Sequence, residues 1–220
     1  MARIAFVLLA HKDPDAVIAQ VRGLLAGGDR VALHYDARAP RAEFARLKEA
    51  LGAEAGVAFA RRRLRCGWGD WSLVAATLEG VRAALGSFPE ATHLYLISGD
   101  CAPVKSAEWA HALLDRENAD FIESHDFFDS DWIRTGLKEE RLIYRHVFNE
   151  RRAKRLFYAS LDWQRRLRLR RAPPKDLRIH IGSQWWCLRR VTAERVLRFV
   201  EGRPDVIRFF RTTWIPDEIF

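Results

Sequence analysis

The first hundred residues alternate short apolar runs with amphipathic stretches of helical period, and this alternation restricts what the chain can fold into. Ile4–Ala10 is apolar throughout and reads as a buried strand. Asp13 is placed to cap, and Pro14 to open, a helix reaching about Ala26. Gly27-Gly28-Asp29 turns into a second strand, Arg30–Tyr35, which ends at Asp36. Pro40–Leu51 is helical and Val57–Ala60 is a short strand. Asp70 or Ser72 opens a helix to Leu85, with Leu73, Ala76, Leu78 and Val81 supplying much of its apolar face. His93–Ile97 runs as a strand into Ser98-Gly99-Asp100, followed by a helix over Ser106–Leu114 and a strand over Asp120–Glu123. The rhythm predicts an α/β fold, a three-layer sandwich with a mostly parallel central sheet and helices on both faces. Such sheets place ligands beyond the carboxyl ends of their strands.

From about Ser124 to Asp176 the rhythm disappears. This stretch is charged and aromatic, closes with Pro173-Pro174, and reads as an irregular basic insertion packed on the core of a single domain, 1–220. Ile179–Ile181 and Gln184–Leu188 restore strand character, and Thr192–Val200 is helical. With 220 residues, 49% of them hydrophobic, the chain can bury one substantial core. No apolar run approaches the roughly 18 residues that span a bilayer, and the opening run lacks a cleavage-site pattern. The cysteines, Cys66, Cys101 and Cys187, are widely spaced with no CxxC, which points to free thiols in a reducing compartment. A cytoplasmic protein is expected.

The net charge of +8 is concentrated in one place. Residues 151–171 hold nine basic side chains (Arg151, Arg152, Lys154, Arg155, Arg165, Arg166, Arg168, Arg170 and Arg171) against one acid, Asp162. Two readings compete. The segment is a basic face for an anionic membrane, an acidic glycan or nucleic acid, or it is a solvated Arg-rich helical excursion, which weighs slightly more. Nucleic acid is disfavoured because the segment matches no recognised binding module. The membrane version places the protein peripherally at the inner membrane. In either, Leu156, Phe157, Leu161 and Trp163 are expected among the anchors on the packed side.

Polar residues gather at the predicted strand ends. His11, Lys12 and Asp13 follow the first strand and Asp36 the second. Trp68, Asp70, Trp71 and Ser72 precede the long helix, while Ser98, Gly99 and Asp100 follow the fourth strand. Glu123 follows the fifth, and Ser183-Gln184-Trp185-Trp186 comes later. A single Asp at a strand end is more often a cap or turn former than a ligand. Five such ends on one rim are harder to assign to caps alone. The chain closes on Trp214-Ile215-Pro216-Asp217-Glu218-Ile219-Phe220, which sets two acids beside apolar residues. Desolvation there raises a carboxyl pKa and suits it to take a proton near neutral pH. Termini are usually polar and frayed, whereas this one reads as the start of a helix that has been cut. Asp129-Ser130-Asp131 has the Asp-x-Asp form that binds divalent ions, but it follows Phe127-Phe128 inside the irregular region, and an acidic surface turn is the better reading.

Six motifs occur in one order: Ala10-His11-Lys12-Asp13-Pro14, His34-Tyr35-Asp36-Ala37-Arg38, Trp68-Gly69-Asp70-Trp71-Ser72-Leu73-Val74, Ser98-Gly99-Asp100-Cys101-Ala102-Pro103-Val104-Lys105, Gly182-Ser183-Gln184-Trp185-Trp186 and Pro216-Asp217-Glu218. Together they resemble the core-2/I-branching N-acetylglucosaminyltransferases, a family that also includes peptide O-xylosyltransferases and many bacterial members. The resemblance implies a GT-A-like, Rossmann-type fold and an inverting transfer of a GlcNAc- or xylose-like sugar. The donor it implies is a UDP-sugar, the acceptor a glycan or glycoconjugate hydroxyl, and no metal or other cofactor is required. Polysaccharide or glycoconjugate synthesis is the setting. By the same resemblance, Glu218 is the general base. His11, Asp36, Trp68, Ser72, Ser98, Gly99 and Asp100 are donor-side positions, with Asp36 near the uracil. Glu123, Lys138, Arg141, Gln184 and Trp185 are acceptor-side positions. Two departures stand out. Many members have Ser-Gly-x-Asp-aromatic-Pro, whereas the acid here is one place earlier, at Asp100, and Cys101-Ala102 precedes Pro103. The family's diphosphate-neutralising basic residues follow Pro-Asp-Glu, a region this chain does not reach. The 220-residue form is therefore expected to be truncated and nearly silent in catalysis, with Glu218 on a fraying end. The alternatives are a metal-dependent GT-A transferase using Asp129 and Asp131, and a non-catalytic module that binds a nucleotide or sugar.

Overall fold

A computed structural model describes residues 2–220. In chain order its strands are β1 (Ile4–Ala10), β2 (Arg30–Tyr35), β3 (Val57–Phe59), β4 (His93–Ser98), β5 (Phe121–Ile122), β6 (His125–Asp126), β7 (His180–Ile181) and β8 (Trp186–Arg189). Its helices are α1 (Pro14–Ala26), α2 (Arg41–Leu51), α3 (Trp71–Ser87), α4 (Ala107–Glu117), α5 (Glu140–Ile143), α6 (Lys154–Arg166), α7 (Arg190–Gly202) and α8 (Pro204–Phe210), and a 3-10 turn covers Pro216–Glu218. The chain forms two compact units. The first is Met1–Cys66, Ala75–Ile122 and Trp185–Arg198, and the second is Gly67–Val74, Glu123–Gln184 and Phe199–Phe220.

The first unit contains a six-stranded sheet in the order β3-β2-β1-β4-β8-β5. β3, β2, β1 and β4 run parallel, and β8 is antiparallel to both of its neighbours. The expected mostly parallel α/β sheet is therefore present. The period of two along β1 separates two cores. Ile4, Phe6, Leu8 and Ala10 pack with Val17, Ile18 and Val21 of α1, Leu47 and Leu51 of α2, and Leu114 of α4. Ala5 and Val7 pack on the opposite face with Val81 and Ala84 of α3 and Ala193 of α7. The helix starts follow local chemistry. Asp13 caps α1 by accepting from the Ala16 N–H (3.2 Å), and Ser106 caps α4 by accepting from the Trp109 N–H (3.3 Å). Buried Asp29 accepts from the Ile4 N–H and pairs with His111 Nε2 at 2.7 Å, which ties the start of β1 to α4.

The second unit takes in the whole stretch expected as an irregular insertion. Ile179–Ile181 enters it as part of a two-stranded ribbon with β6. One core joins Phe127, Leu142, Ile181, Phe209 and Phe210 to Trp71 and Phe220, and another joins Tyr144, Phe157, Leu161, Trp214 and Ile215. Helix α8 lay outside the sequence reading.

Three expectations need correction in this unit. Phe157 and Leu161 do anchor α6, but Leu156 and Trp163 are exposed, Trp163 by 64%. Arg171 is not part of a solvated face either. It donates to the carbonyls of Tyr144, Phe209 and Thr212 and to the hydroxyls of Thr212 and Thr213, and burial lowers its pKa to about 10. Finally, the last residues are packed into the second unit. The Phe220 N–H donates to the Pro216 carbonyl (2.7 Å), and the Phe220 ring packs edge-on against Trp71 and Phe210.

Candidate active site

In the first unit, parallel strands bring their carboxyl ends to one edge. Ala10 pairs with Tyr35 and Leu9 with Ser98, so His11, Asp36 and the Ser98–Asp100 turn all emerge on that edge. Asp36 is the only one of these with a buried side chain, at 7% exposure. Its Oδ1 accepts from the Arg38 N–H (2.7 Å) and its Oδ2 from the Cys66 N–H (3.2 Å). Arg63 donates to the carbonyls of Tyr35, Asp36 and Ala39, closing the loop from the other side. His34 accepts the Leu64 N–H at Nε2 (2.9 Å), and burial lowers its pKa, which keeps the ring neutral and fit to accept. Burial, with the Asp36 charge adding to it, pushes the Cys66 thiol up to about 12. Asp36 thus sits at the centre of a rigid polar loop.

The neighbouring turn is built differently. Gln20 donates its amide to the carbonyls of Ser98 (3.0 Å) and Cys101 (2.8 Å), and Ser98 Oγ accepts from the Asp100 N–H. Asp100 is exposed and pairs with Lys12 at 3.2 Å, a contact solvent screens strongly. His11 is exposed as well.

In the second unit, the loop before α3 and the Pro216–Glu218 turn are held together. The Gly67 N–H donates to Ser72 Oγ (2.8 Å), and Asn149 Nδ2 donates to both the Trp68 carbonyl and Asp70 Oδ1 (2.8 Å each). Gly69 has φ +70 and lies so close to Trp214 that a Cβ there would meet the indole at 2.9 Å. The Ile215 N–H then donates to the Gly69 carbonyl (3.1 Å). Trp68 remains 45% exposed, with the Arg151 guanidinium stacked 3.9 Å from its ring.

The two acids of the turn differ in environment. Glu218 Oε2 accepts from Arg141 Nη1 at 2.7 Å, and the Arg141 side chain is only 9% exposed. Arg141 Nε is itself fixed on the Leu137 carbonyl (2.8 Å). The Glu218 carbonyl accepts from the Gly182 N–H (2.9 Å), which fixes the backbone as well. Asp217 has a buried Oδ1 without a hydrogen-bond partner among the described residues. Burial pushes its carboxyl up to about 6, and the Glu218 charge adds to the rise while its own backbone N–H and Arg141 oppose it. The raised carboxyl pKa expected of this motif therefore falls on Asp217.

The remaining sequence-derived positions lie in both units. Exposed Glu123 faces His125 at 3.4 Å, and Lys138 Nζ donates to the Ser130 carbonyl (3.0 Å). Gln184 is half-buried at the end of the second unit, and Trp185 is 38% exposed in the first. Arg141, read as an acceptor-side residue, is bonded to Glu218. Asp129 and Asp131 are exposed on a turn, and among the described residues no three His, Cys, Asp or Glu side chains gather in a metal-binding group. Sequence reasoning missed Arg63 and Asn149, which act on atoms distant in sequence and leave no local pattern, and it did not single out Asp217 from the acid pair whose apolar flanks it read.

A model of the family described as Core-2/I-Branching enzyme matches residues 4–220. No curated protein matches the chain.

Proposed function

The chain belongs to the core-2/I-branching enzyme family and is thereby a glycosyltransferase, and on that premise we propose that it moves a GlcNAc- or xylose-like sugar from a UDP-sugar to a glycan or glycoconjugate hydroxyl, with inversion and without a metal ion. In this reading Glu218 accepts the proton of the acceptor hydroxyl as its oxygen attacks the anomeric carbon. The bond from that carbon to the β-phosphate oxygen breaks on the opposite face, and UDP leaves with the electron pair. Arg141 holds Glu218 by one oxygen and fixes the carboxylate's direction. Asp36, buried in its loop, accepts from the uracil imide N–H through a remaining lone pair.

The observation that carries the reading is the fixed Glu218 carboxylate in a Pro-Asp-Glu turn, bonded through both side chain and backbone. A base needs that order, because catalytic groups must hold to within about half an ångström. The test is product stereochemistry. The full-length protein is incubated with an α-linked UDP-sugar and an excess of chelator, and the new linkage is read by NMR. A β-linked product is the expected result. An α-linked product, or no turnover until a divalent ion is restored, overturns the reading.

A further inference from the structure

Helix α6 carries two apolar stripes, only one of which is covered. Phe157 and Leu161 are buried against Tyr144, Trp214 and Ile215. Gln164 clamps the Arg145 backbone from the same helix, accepting from its N–H (2.9 Å) and donating to its carbonyl (3.0 Å). The second stripe is Leu156, Ala159, Trp163 and Leu167, at i, i+3, i+7 and i+11, which is the spacing of one helical face. All four are exposed, and Leu169 just beyond is exposed as well. With Arg171 internal, eight exposed basic side chains remain in this segment: Arg151, Arg152, Lys154, Arg155, Arg165, Arg166, Arg168 and Arg170. Arg155 and Arg166 lie at helical spacing from Ala159 and Trp163. Arg165 is partly neutralised by Asp162 and Glu140.

We infer that this face of α6, with the turn that follows it, is a docking surface for an anionic lipid bilayer. Trp163, Leu156 and Leu167 would enter the headgroup–acyl boundary while the arginines contact lipid phosphates. Charge complementarity selects an anionic partner. The apolar stripe selects among anionic partners. A soluble polyanion satisfies arginines but offers no sink for an indole and two leucines, whereas a bilayer interface accommodates Trp and Leu between cationic side chains. A second copy of the chain is a poor occupant, since it would set like charges against one another.

The test is flotation of the full-length protein with vesicles of phosphatidylcholine alone or mixed with phosphatidylglycerol. One variant carries Arg165→Gln, Arg166→Gln and Arg168→Gln, and another carries Leu156→Ser and Trp163→Ser. These side chains are exposed, so both variants fold, which thermal melting verifies. Binding is expected only with the anionic vesicles. About 1 kcal/mol per basic residue near the surface corresponds to about fivefold each, so the triple variant loses roughly a hundredfold in partitioning. The apolar variant loses about tenfold or more. Brominated lipid should quench the wild type more than Trp163→Phe. Vesicle binding that neither variant changes overturns the inference. So does equal binding to soluble dextran sulfate that the Leu156/Trp163 variant leaves intact, because the partner is then a soluble acidic polymer.

Discussion

Asp36 is where recognition and architecture are most entangled, and the geometry separates them. Replacing it with alanine removes the acceptors for two backbone donors, the N–H groups of Arg38 and Cys66. An orphaned donor costs about 1–3 kcal/mol. Both bonds are only part-buried, so the pair should cost about 2–4 kcal/mol. For a protein of this size each kcal/mol lowers Tm by about 2–4 °C. Asparagine keeps one acceptor oxygen, which the shorter bond from Arg38 can use, and should cost about half as much. Loss of a charge-assisted hydrogen bond to the uracil is worth about 1.5–3 kcal/mol, so Asp36→Ala should weaken UDP binding by roughly ten- to a hundredfold. Asp36→Asn leaves a neutral acceptor and should weaken it by about tenfold. Differential scanning fluorimetry gives the stabilities. Titration calorimetry well below every Tm, with chelator present, gives the affinities. Wild-type UDP affinity in Asp36→Asn would refute the recognition role and leave Asp36 as a loop organiser alone.

Other outcomes follow from the same geometry. The Asp217 carboxyl is raised to about 6 in the fold, so the stability it contributes is full below its unfolded pKa near 4 and is lost as pH rises through about 6. Urea denaturation should accordingly find Asp217→Asn more stable than wild type at pH 8, by about 2–3 kcal/mol, with the difference vanishing near pH 4; a pH-independent difference contradicts the assignment. A Cβ at Gly182 would stand 2.0 Å from the Glu123 carbonyl oxygen, so Gly182→Ala should cost about 1–3 kcal/mol and, because the Gly182 N–H holds the Glu218 carbonyl, lower kcat with UDP affinity unchanged. Chelator, and the double change Asp129→Asn/Asp131→Asn, should leave UDP affinity as in wild type. Binding lost to either would favour the metal-dependent alternative.

The first unit was legible because its signals are local. β1, β2 and β4 are apolar runs whose burial the sheet confirms, and Asp13 and Ser106 cap the helices they precede. β5 shrank to two exposed residues, since its sequence lacks the apolar run that marks a buried strand. The second unit was harder to read because distant partners decide it. Helix α6 presents Phe157/Leu161 and Leu156/Trp163 at equally good helical spacing, and only the packing of Tyr144, Trp214 and Ile215 selects the first pair. Arg171 looks like the last residue of a solvated basic run until carbonyls contributed by residues 144, 209 and 212 enclose it. The Pro-Asp-Glu turn was legible as chemistry, but which acid is buried and which meets Arg141 depends on a contact 77 residues away in sequence.

The most direct test of the account is the turnover of Glu218→Gln. The substitution preserves shape and leaves one carbonyl oxygen for Arg141, but it removes the proton acceptor. With saturating UDP-sugar and acceptor, in chelator, the full-length variant should lose about 10²–10⁴-fold in kcat, with its UDP dissociation constant unchanged. A variant that turns over within about threefold of wild type would show that Glu218 is not the base, and the mechanism built on it would fall.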